Sequence, residues 1–294
     1  MRPRRSVFYI PGNNPKLLGK AEGIRADVIT LDLEDSVPMS EKPRARELTR
    51  AHLVPAGSSG AQVYCRINPW ASGQTEVDLQ AIVGPDLDGV CLPKADHPDE
   101  VVRLAEALSR LELERGVPEG STQIQLLIET ARGLMHCYDA AQASPRVEAL
   151  LFGALDFARD MGVHPEPRAA VVAYPRAQVA VAARAARRTA IDSVFPGYQD
   201  PEGFEADTLL SRELGYEGRI VIHPAQLAPT HRLYAPSDEE IEWARQVVEV
   251  FEQVAMPQGL GAVPLEGTMV DIPVYEAARR LLCRRVDMDV RTEA

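Results

Sequence analysis

Up to Tyr234 the chain alternates short apolar runs with amphipathic stretches. Runs of this length, bounded by turn residues, are those of buried parallel strands, and the stretches between them carry the period of helices. RSVFYIPG precedes a helix near Pro15 to Ala21, ADVITLDLED one near Lys42 to Leu53, VYCRIN a short one from Thr75, and DGVCLPK a long one from Pro98 to about Glu114. QIQLLIET leads to GLMHCYDAAQ, VEALLFGALDF to an alanine-rich helix from about Ala170 to Arg188, AIDSVF to a helix from about Pro201 to Leu214, and GRIVIHP to one near Ala225 to Leu233. These are eight β-α units.

Alternating strands and helices of this size require a parallel sheet, and eight units match a closed (β/α)8 TIM barrel. An open doubly wound sheet is the runner-up. No GxGxxG follows the first strand and no GxxxxGK[ST] occurs, so the usual phosphate loops of that fold are missing. We therefore expect an α/β chain with residues 1–234 as the barrel and 235–294 as a C-terminal extension. PSDEEIEWARQVVEVFEQV carries a capping signal and helical spacing. MPQGLGAVPLEGTMVDIP then breaks that period with prolines and glycines, and YEAARRLLCRR resumes it.

The 294 residues, 45% hydrophobic and 26% charged, suffice for one large core or a core with an appendage. A formal net charge of −11 argues against nucleic acid or an anionic membrane as partner. No apolar run approaches the roughly 20 residues of a membrane span, and the MRPRR start lacks a signal peptide's apolar stretch, so a cytoplasmic location is expected. Cys65, Cys91, Cys137 and Cys283 show no CxxC spacing and read as reduced core residues. The six histidines form no HExxH or HxxxH pattern.

In a barrel the polar residues that end the strands share one working face. They are Tyr9 and Asn13, Glu34 and Asp35, Arg66 and Asn68, Lys94, Glu129, Asp156 and His223, in strand order. Glu129 and Asp156 are oxygen donors of the kind Mg²⁺ accepts, and two carboxylates leave positions for water and substrate. Either could instead cap a helix or pair with a cation. Glu34 and Asp35 could support a metal-bound water or orient Arg66, or satisfy nearby backbone donors. Arg66 could grip a carboxylate or an enolate oxygen, or form an ion pair with Glu34 or Asp35. Lys94 offers a Schiff-base amine or an ion pair, and the ion pair is favoured because a Schiff base would make the two carboxylates redundant. PGNNPK places Lys16 at a helix start where a phosphate could sit. His223 could shape the pocket or simply pack. Asp271, in a Pro/Gly-rich segment, has by itself the character of a solvated loop residue.

RSVFYIPGNNPK, VITLDLEDSV, VYCRIN, GVCLPK, LLIETARGL, LFGALDF, GYEGRIVIHPAQ and LEGTMVDIP together resemble the citrate lyase beta-subunit-like group of the HpcH/HpaI aldolase superfamily. They run in family order along almost the whole chain, and the likeness is nearest to stand-alone citramalyl-CoA and malyl-CoA lyases. The resemblance implies a (β/α)8 barrel assembled as a homotrimer or dimer of trimers, with Mg²⁺ on Glu129 and Asp156. It gives Arg66 the acyl part of the substrate. Tyr9, Lys16 and the backbone around Ile222 and His223 would serve a CoA thioester. Asp271 would be the catalytic acid/base, carried into a neighbouring subunit's site by a lid in residues 235–294. The implied reaction is Mg-dependent carbon-carbon cleavage of a 3-hydroxyacyl-CoA to acetyl-CoA and a 2-oxo acid. Thioester hydrolysis, a malate-synthase-like condensation, or action on an acyl-carrier-bound substrate are the alternatives, and a TMVDIP lid favours free CoA thioesters. Many relatives carry an acid where this chain has Leu155, which bears on substrate preference.

Overall fold

The computed structural model describes residues 3–164 and 170–292, the last helix by its backbone alone beyond residue 283. Eight parallel strands of the described residues close into a barrel: β1 Ser6–Pro11, β2 Val28–Asp32, β3 Gln62–Arg66, β4 Gly89–Leu92, β5 Gln123–Ile128, β6 Val147–Phe152, β7 Thr189–Asp192 and β8 Gly218–Val221. Each pairs in parallel with its neighbours in sequence, and β1 closes on β8 through Val7↔Ile220. The helices between them are α1 Pro15–Leu18, α2 Lys42–Gly57, α3 Thr75–Ile82, α4 Pro98–Arg115, α5 Ala131–Gln142, α6 Ala154–Asp160, α7 Ala170–Ala185 and α8 Pro201–Glu213, with α9 Leu227–Tyr234 after the last strand. Among the described residues no helix is long and apolar enough to cross a membrane.

Side chains alternate in and out of a barrel wall, so every second strand residue fills the interior. That inner cluster is Val7, Val28, Tyr64, Cys91, Leu127, Ala149, Leu151, Ile191 and Ile220. The amino-terminal end of the barrel is held by polar bonds. Glu148 accepts from Tyr64 Oη at 2.5 Å, from Gln125 Nε2 at 3.2 Å and from Arg4.

Three expectations are corrected. Strand seven stops at Asp192 rather than running to Phe195, because the Asp192 carboxylate takes the Ser193 N–H at 2.8 Å and Pro196 has none to give. The alanine-rich helix ends at Ala185, where Arg187 turns left-handed (φ 56°) and the Arg188 N–H returns to the Ala183 carbonyl at 2.8 Å. The stretch read only as a break in helical period contains an antiparallel hairpin, β9 Ala262–Leu265 and β10 Thr268–Asp271. Glu266 and Gly267 both have positive φ, which suits a two-residue hairpin turn.

The chain divides into two compact units, Arg4–His231 and Met1–Pro3 with Arg232–Ala294. The second contains α10 Asp238–Val250, opened by a Ser237/Glu240 capping box and continued by a π-turn over Phe251–Ala255. A short turn α11 Met256–Gln258, the hairpin and α12 Ile272–Thr292 follow. Its core joins Val247, Phe251, Val263, Val270, Tyr275 and Ala278, with Phe251 stacked on Tyr275 at 4.7 Å.

Within the barrel unit, Glu112 of α4 is fully buried and takes both arms of Arg146 (2.7 and 2.9 Å) and the N–H groups of Gly120 and Thr122 (2.8 Å each). Burial alone would raise its pKa, but the Arg146 and backbone bonds outweigh it and hold the carboxyl at about 2, below its ordinary 4.5. A depressed carboxyl contributes stability above its unfolded pKa and loses it as pH falls through the folded one. Glu112→Gln is expected to cost about 3 kcal/mol at neutral pH by stranding Arg146. Thermal unfolding should show the gap to wild type narrowing as pH falls from about 4.5 toward about 2, and a pH-independent gap would refute the pairing.

Candidate active site

The interior alternation carries on past the carboxyl ends of the strands and sets which polar groups meet there. Two residues beyond the interior positions Tyr64, Leu127, Ile191 and Ile220 stand Arg66, Glu129, Ser193 and Ile222, and beyond Val28 come Thr30, Asp32 and Glu34. Asp32 and Arg66 are direct partners in the β2–β3 register. The guanidinium lies flat against this carboxylate, Nε to Oδ1 at 2.7 Å and Nη2 to Oδ2 at 2.6 Å, and its Nη1 lies 3.1 Å from Glu34.

Burial would lift the Asp32 pKa, but Arg66 prevails and holds it below the usual carboxylate range. For Arg66 itself burial opposes the charge, and Asp32, Tyr9 and Glu34 together keep its pKa raised. Glu34 goes the other way: burial raises its pKa despite Arg66 and Lys94. Lys94 is bonded to Glu34, lies 3.6 Å from Asp35, and gives its backbone N–H to Glu129 Oε1 at 3.0 Å. It sits at φ 47°, a left-handed conformation rare for a side-chain-bearing residue. Burial works against its charge, but Glu34, Glu129 and Asp35 win and raise its pKa. A lysine held as ammonium is a poor Schiff-base amine at neutral pH.

Glu129 is 2% exposed, and its pKa is pushed up to about 8 by burial, with Arg66 opposing and Asp156 adding to the rise. Gly153 lets it sit there, because a Cβ at that position would fall 2.6 Å from the Glu129 Cβ and 2.8 Å from its Oε2. Asp156 does not end a strand, as the sequence suggested. Strand β6 stops at Phe152, the Gly153 carbonyl opens α6, and Asp156 lies in its first turn, paired with Arg159 at 2.6 Å. The α6 start is pinned by Ser193, whose Oγ accepts the Ala154 N–H at 3.0 Å.

Tyr9 points into the barrel below Arg66, which lies 5.3 Å over its ring, and its hydroxyl is 3.5 Å from Cys91 Sγ. Burial drives the phenol well above its ordinary pKa and the Cys91 thiol to about 12, so neither is poised for proton transfer or nucleophilic attack near neutrality. One cavity of about 640 Å³, within the range of small-molecule sites, is lined by Tyr9, Asp32, Arg66, Glu129, Leu155, Asp156, Ser193, Ile222 and His223, with Leu17 and Lys20 beside α1. Lys16 is exposed on α1 and does not line it. Ile222 is 42% exposed, yet its N–H and that of His223 are taken by Gln226 Oε1 at 3.0 and 3.3 Å, leaving the imidazole stacked on Tyr198 at 4.9 Å.

Other candidates have structural partners. Asn68 bonds Asp78 and the Leu33 carbonyl, Asn13 bonds Glu41, and Asp35 is half-exposed. Asp271 belongs to the C-terminal unit, where its Oδ1 accepts the Val274 N–H at 3.1 Å. Sequence reasoning missed Asp32 and Ser193. Asp32 was legible by parity, two residues before Glu34 on the inward face, whereas the Ser193 bond spans 39 residues and leaves no local signal.

A barrel that gathers carboxylates and an arginine at its carboxyl-terminal mouth has them on the face where barrel enzymes carry their active sites. The family model for HpcH/HpaI aldolase/citrate lyase matches residues 5–224, and the chain belongs to that family and to its carbon-carbon lyases. It is 34% identical over 281 residues to the citrate lyase subunit beta of Leuconostoc mesenteroides subsp. cremoris, covering 96% of this chain and 93% of that one. It is 32% identical over 282 residues to a (3S)-malyl-CoA thioesterase of Cereibacter sphaeroides (96% and 94% covered). With the mitochondrial citramalyl-CoA lyase of Mus musculus the identity is 31% over 291 residues (95% and 85% covered). The structure of the CitE protein of Mycobacterium tuberculosis with magnesium, acetoacetate and coenzyme A superposes with a TM-score of 0.78 at 29% identity, covering 97% and 98% of the two chains.

The donor set here suits such an ion. Glu129 is a buried carboxylate whose neighbours leave it under-neutralised, the condition that a divalent cation relieves, and Asp156 adds a second hard oxygen donor. Among the described residues no group of three or more His, Cys, Asp or Glu gathers for a metal, so two carboxylates would leave the remaining positions to water and substrate.

The pairing at the mouth is open to test. Asp32→Asn is expected to destabilise the protein by about 3 kcal/mol by leaving buried Arg66 without its main partner. Asp35→Asn, at an exposed carboxylate, should stay within about 0.5 kcal/mol of wild type. Equal effects in denaturant unfolding would contradict the assignment.

Proposed function

We propose that the protein cleaves a 3-hydroxyacyl-CoA of the citramalyl-CoA or malyl-CoA type to acetyl-CoA and a 2-oxo acid. The observation that carries this is the placement of Glu129, Asp156 and Arg66 on the wall of one cavity at the carboxyl-terminal mouth of the barrel. Glu129 and Asp156 would hold Mg²⁺, which when bound supplies Lewis-acid polarisation of the oxo-acid oxygens. A base takes the hydroxyl proton, the C2–C3 bond breaks as the oxo-acid carbonyl forms, and its electron pair passes into the thioester enolate. Protonation at C2 then releases acetyl-CoA. Arg66, kept charged by Asp32, offers its remaining N–H groups to the enolate oxygen, where a fixed cation in a desolvated site is worth most. Glu34 and Asp35 support it by holding Arg66 and Lys94 in place. Tyr9, Ile222 and His223, which line the cavity, would meet the thioester, and Lys16, exposed on α1 outside it, would meet the CoA.

Tyr9 and Cys91 hold their protons and Lys94 its charge, so none of these three serves as that base. We assign the role to Asp271, delivered by the C-terminal unit of a neighbouring copy in a homotrimer or dimer of trimers. Hydrolysis of a malyl-CoA thioester is the second reading, supported by the thioesterase relative.

Asp271→Asn and Glu129→Gln should each reduce cleavage by at least ~10²-fold, the low end of an acid–base contribution. Asp271→Asn should still bind CoA thioesters. Coexpression of the two variants in mixed assemblies should restore measurable cleavage, because one copy supplies Asp271 and the other Glu129. Near-wild-type turnover by Asp271→Asn would remove that residue from the mechanism, and failure to complement would place Asp271 in its own copy's site.

A further inference from the structure

The two proposed metal carboxylates stand on different elements, Glu129 just after β5 and Asp156 in the first turn of α6. A shared ion therefore needs that turn held in place against the barrel wall. A helix start is ordinarily held locally, by a Ser, Thr, Asp or Asn side chain that accepts one of the first N–H groups. Here that position is closed to all four. Gly153 opens α6, and a Cβ on it would fall 2.6 Å from the Glu129 Cβ and 2.8 Å from its Oε2. By occupying this space Glu129 denies α6 a cap of its own. The Asp156–Arg159 pair does not replace it, because both residues belong to α6 and move together.

The acceptor comes instead from the residue after β7. Ser193 Oγ takes the Ala154 N–H at 3.0 Å, one step along the chain from the excluded cap. Ser193 is itself gripped at both backbone groups. Its N–H donates to Asp192 Oδ1 at 2.8 Å, and its carbonyl accepts from Arg219 Nη2 at 3.1 Å. Asp192 and Arg219 are fully buried and are linked through Arg176 and Asp207, by bonds of 2.9 Å from Arg176 Nε to Asp192, 3.0 Å from Arg176 Nη1 to Asp207 and 2.9 Å from Arg219 Nη2 to Asp207. The Gly153 N–H, given to the Ile128 carbonyl at 2.9 Å, ties the entry to α6, and Asp160, which accepts the Ala131 N–H at 2.8 Å, ties its far end. The Ala154 bond ties the turn that carries Asp156. We infer that Ser193 is a positioning residue for the metal: it supplies the cap that Glu129 excludes, fixes Asp156 relative to Glu129, and so sets the affinity for a divalent cation. The inference rests on the reading above that these two carboxylates hold the ion.

Calorimetric titration of the full-length protein with Mg²⁺, and separately with Mn²⁺, reads this without substrate. Ser193→Ala should weaken binding at least ~10-fold, the low end for losing a group that orients a metal ligand. Ser193→Thr, which keeps the hydroxyl, should bind nearly as wild type does. In the metal-free protein the Ala154 amide should exchange with deuterium at least ~5-fold faster in Ser193→Ala, the scale of a lost cap. Unchanged affinity in Ser193→Ala overturns the inference and leaves the metal reading standing. Weakened affinity with unchanged exchange also overturns it, since Ser193 would then act on the ion and not through α6. Absence of binding by wild type, or binding by Glu129→Gln as tight as wild type, refutes the metal reading, and the inference falls with it.

Discussion

A guanidinium buried at the end of a closed barrel has to be matched by carboxylates, and the rest of this site depends on how Arg66 is matched. Its register partner Asp32 takes the flat edge of the fork, and Glu34 takes the remaining side. Arg66 and Lys94 are engaged by Asp32 and Glu34, and burial raises the Glu129 pKa against the opposing pull of both cations. The mouth is therefore asymmetric, with the Arg66 guanidinium fixed between carboxylates on one side and the buried Glu129 carboxylate on the other.

The carboxyl ends of the strands supply these groups from β2, β3, β4 and β5, while α6 supplies Asp156. Precision here comes from backbone constraints rather than from the side chains alone. Gly153 clears the space that Glu129 occupies, Lys94 adopts a left-handed turn to donate its N–H to the same carboxylate, and Ser193 fixes the first turn of α6. The buried Arg176, Asp192, Asp207 and Arg219 network stands behind Ser193, since Asp192 accepts its N–H and Arg219 donates to its carbonyl. Stability and function thus meet at β7, where a structural ion network ends in a residue that sets the position of Asp156.

The eight β-α units were legible because each strand is a short apolar run and each helix an amphipathic one, and both periods survive in the residues themselves. Arg66, Glu129 and Glu34 were legible for a related reason: they extend an inward-facing parity past the strand end. Asp32 sat in the same LDLED run but was passed over for the two adjacent acids that end it. Asp156 was placed on a strand because nothing in GALDF announces a helix opening at Gly153, a start fixed by a bond from Ala154 to distant Ser193. The hairpin at Ala262–Asp271 was hidden by its prolines and glycines, which signal a break without saying that two short strands lie on either side of Glu266-Gly267.

The most direct test of carbon-carbon cleavage is mass-spectrometric identification of the products formed by the purified protein from citramalyl-CoA and malyl-CoA, with Mg²⁺ and again with a chelator. Mg²⁺-dependent acetyl-CoA together with pyruvate or glyoxylate is the predicted result. Free CoA with an intact hydroxy acid would contradict it.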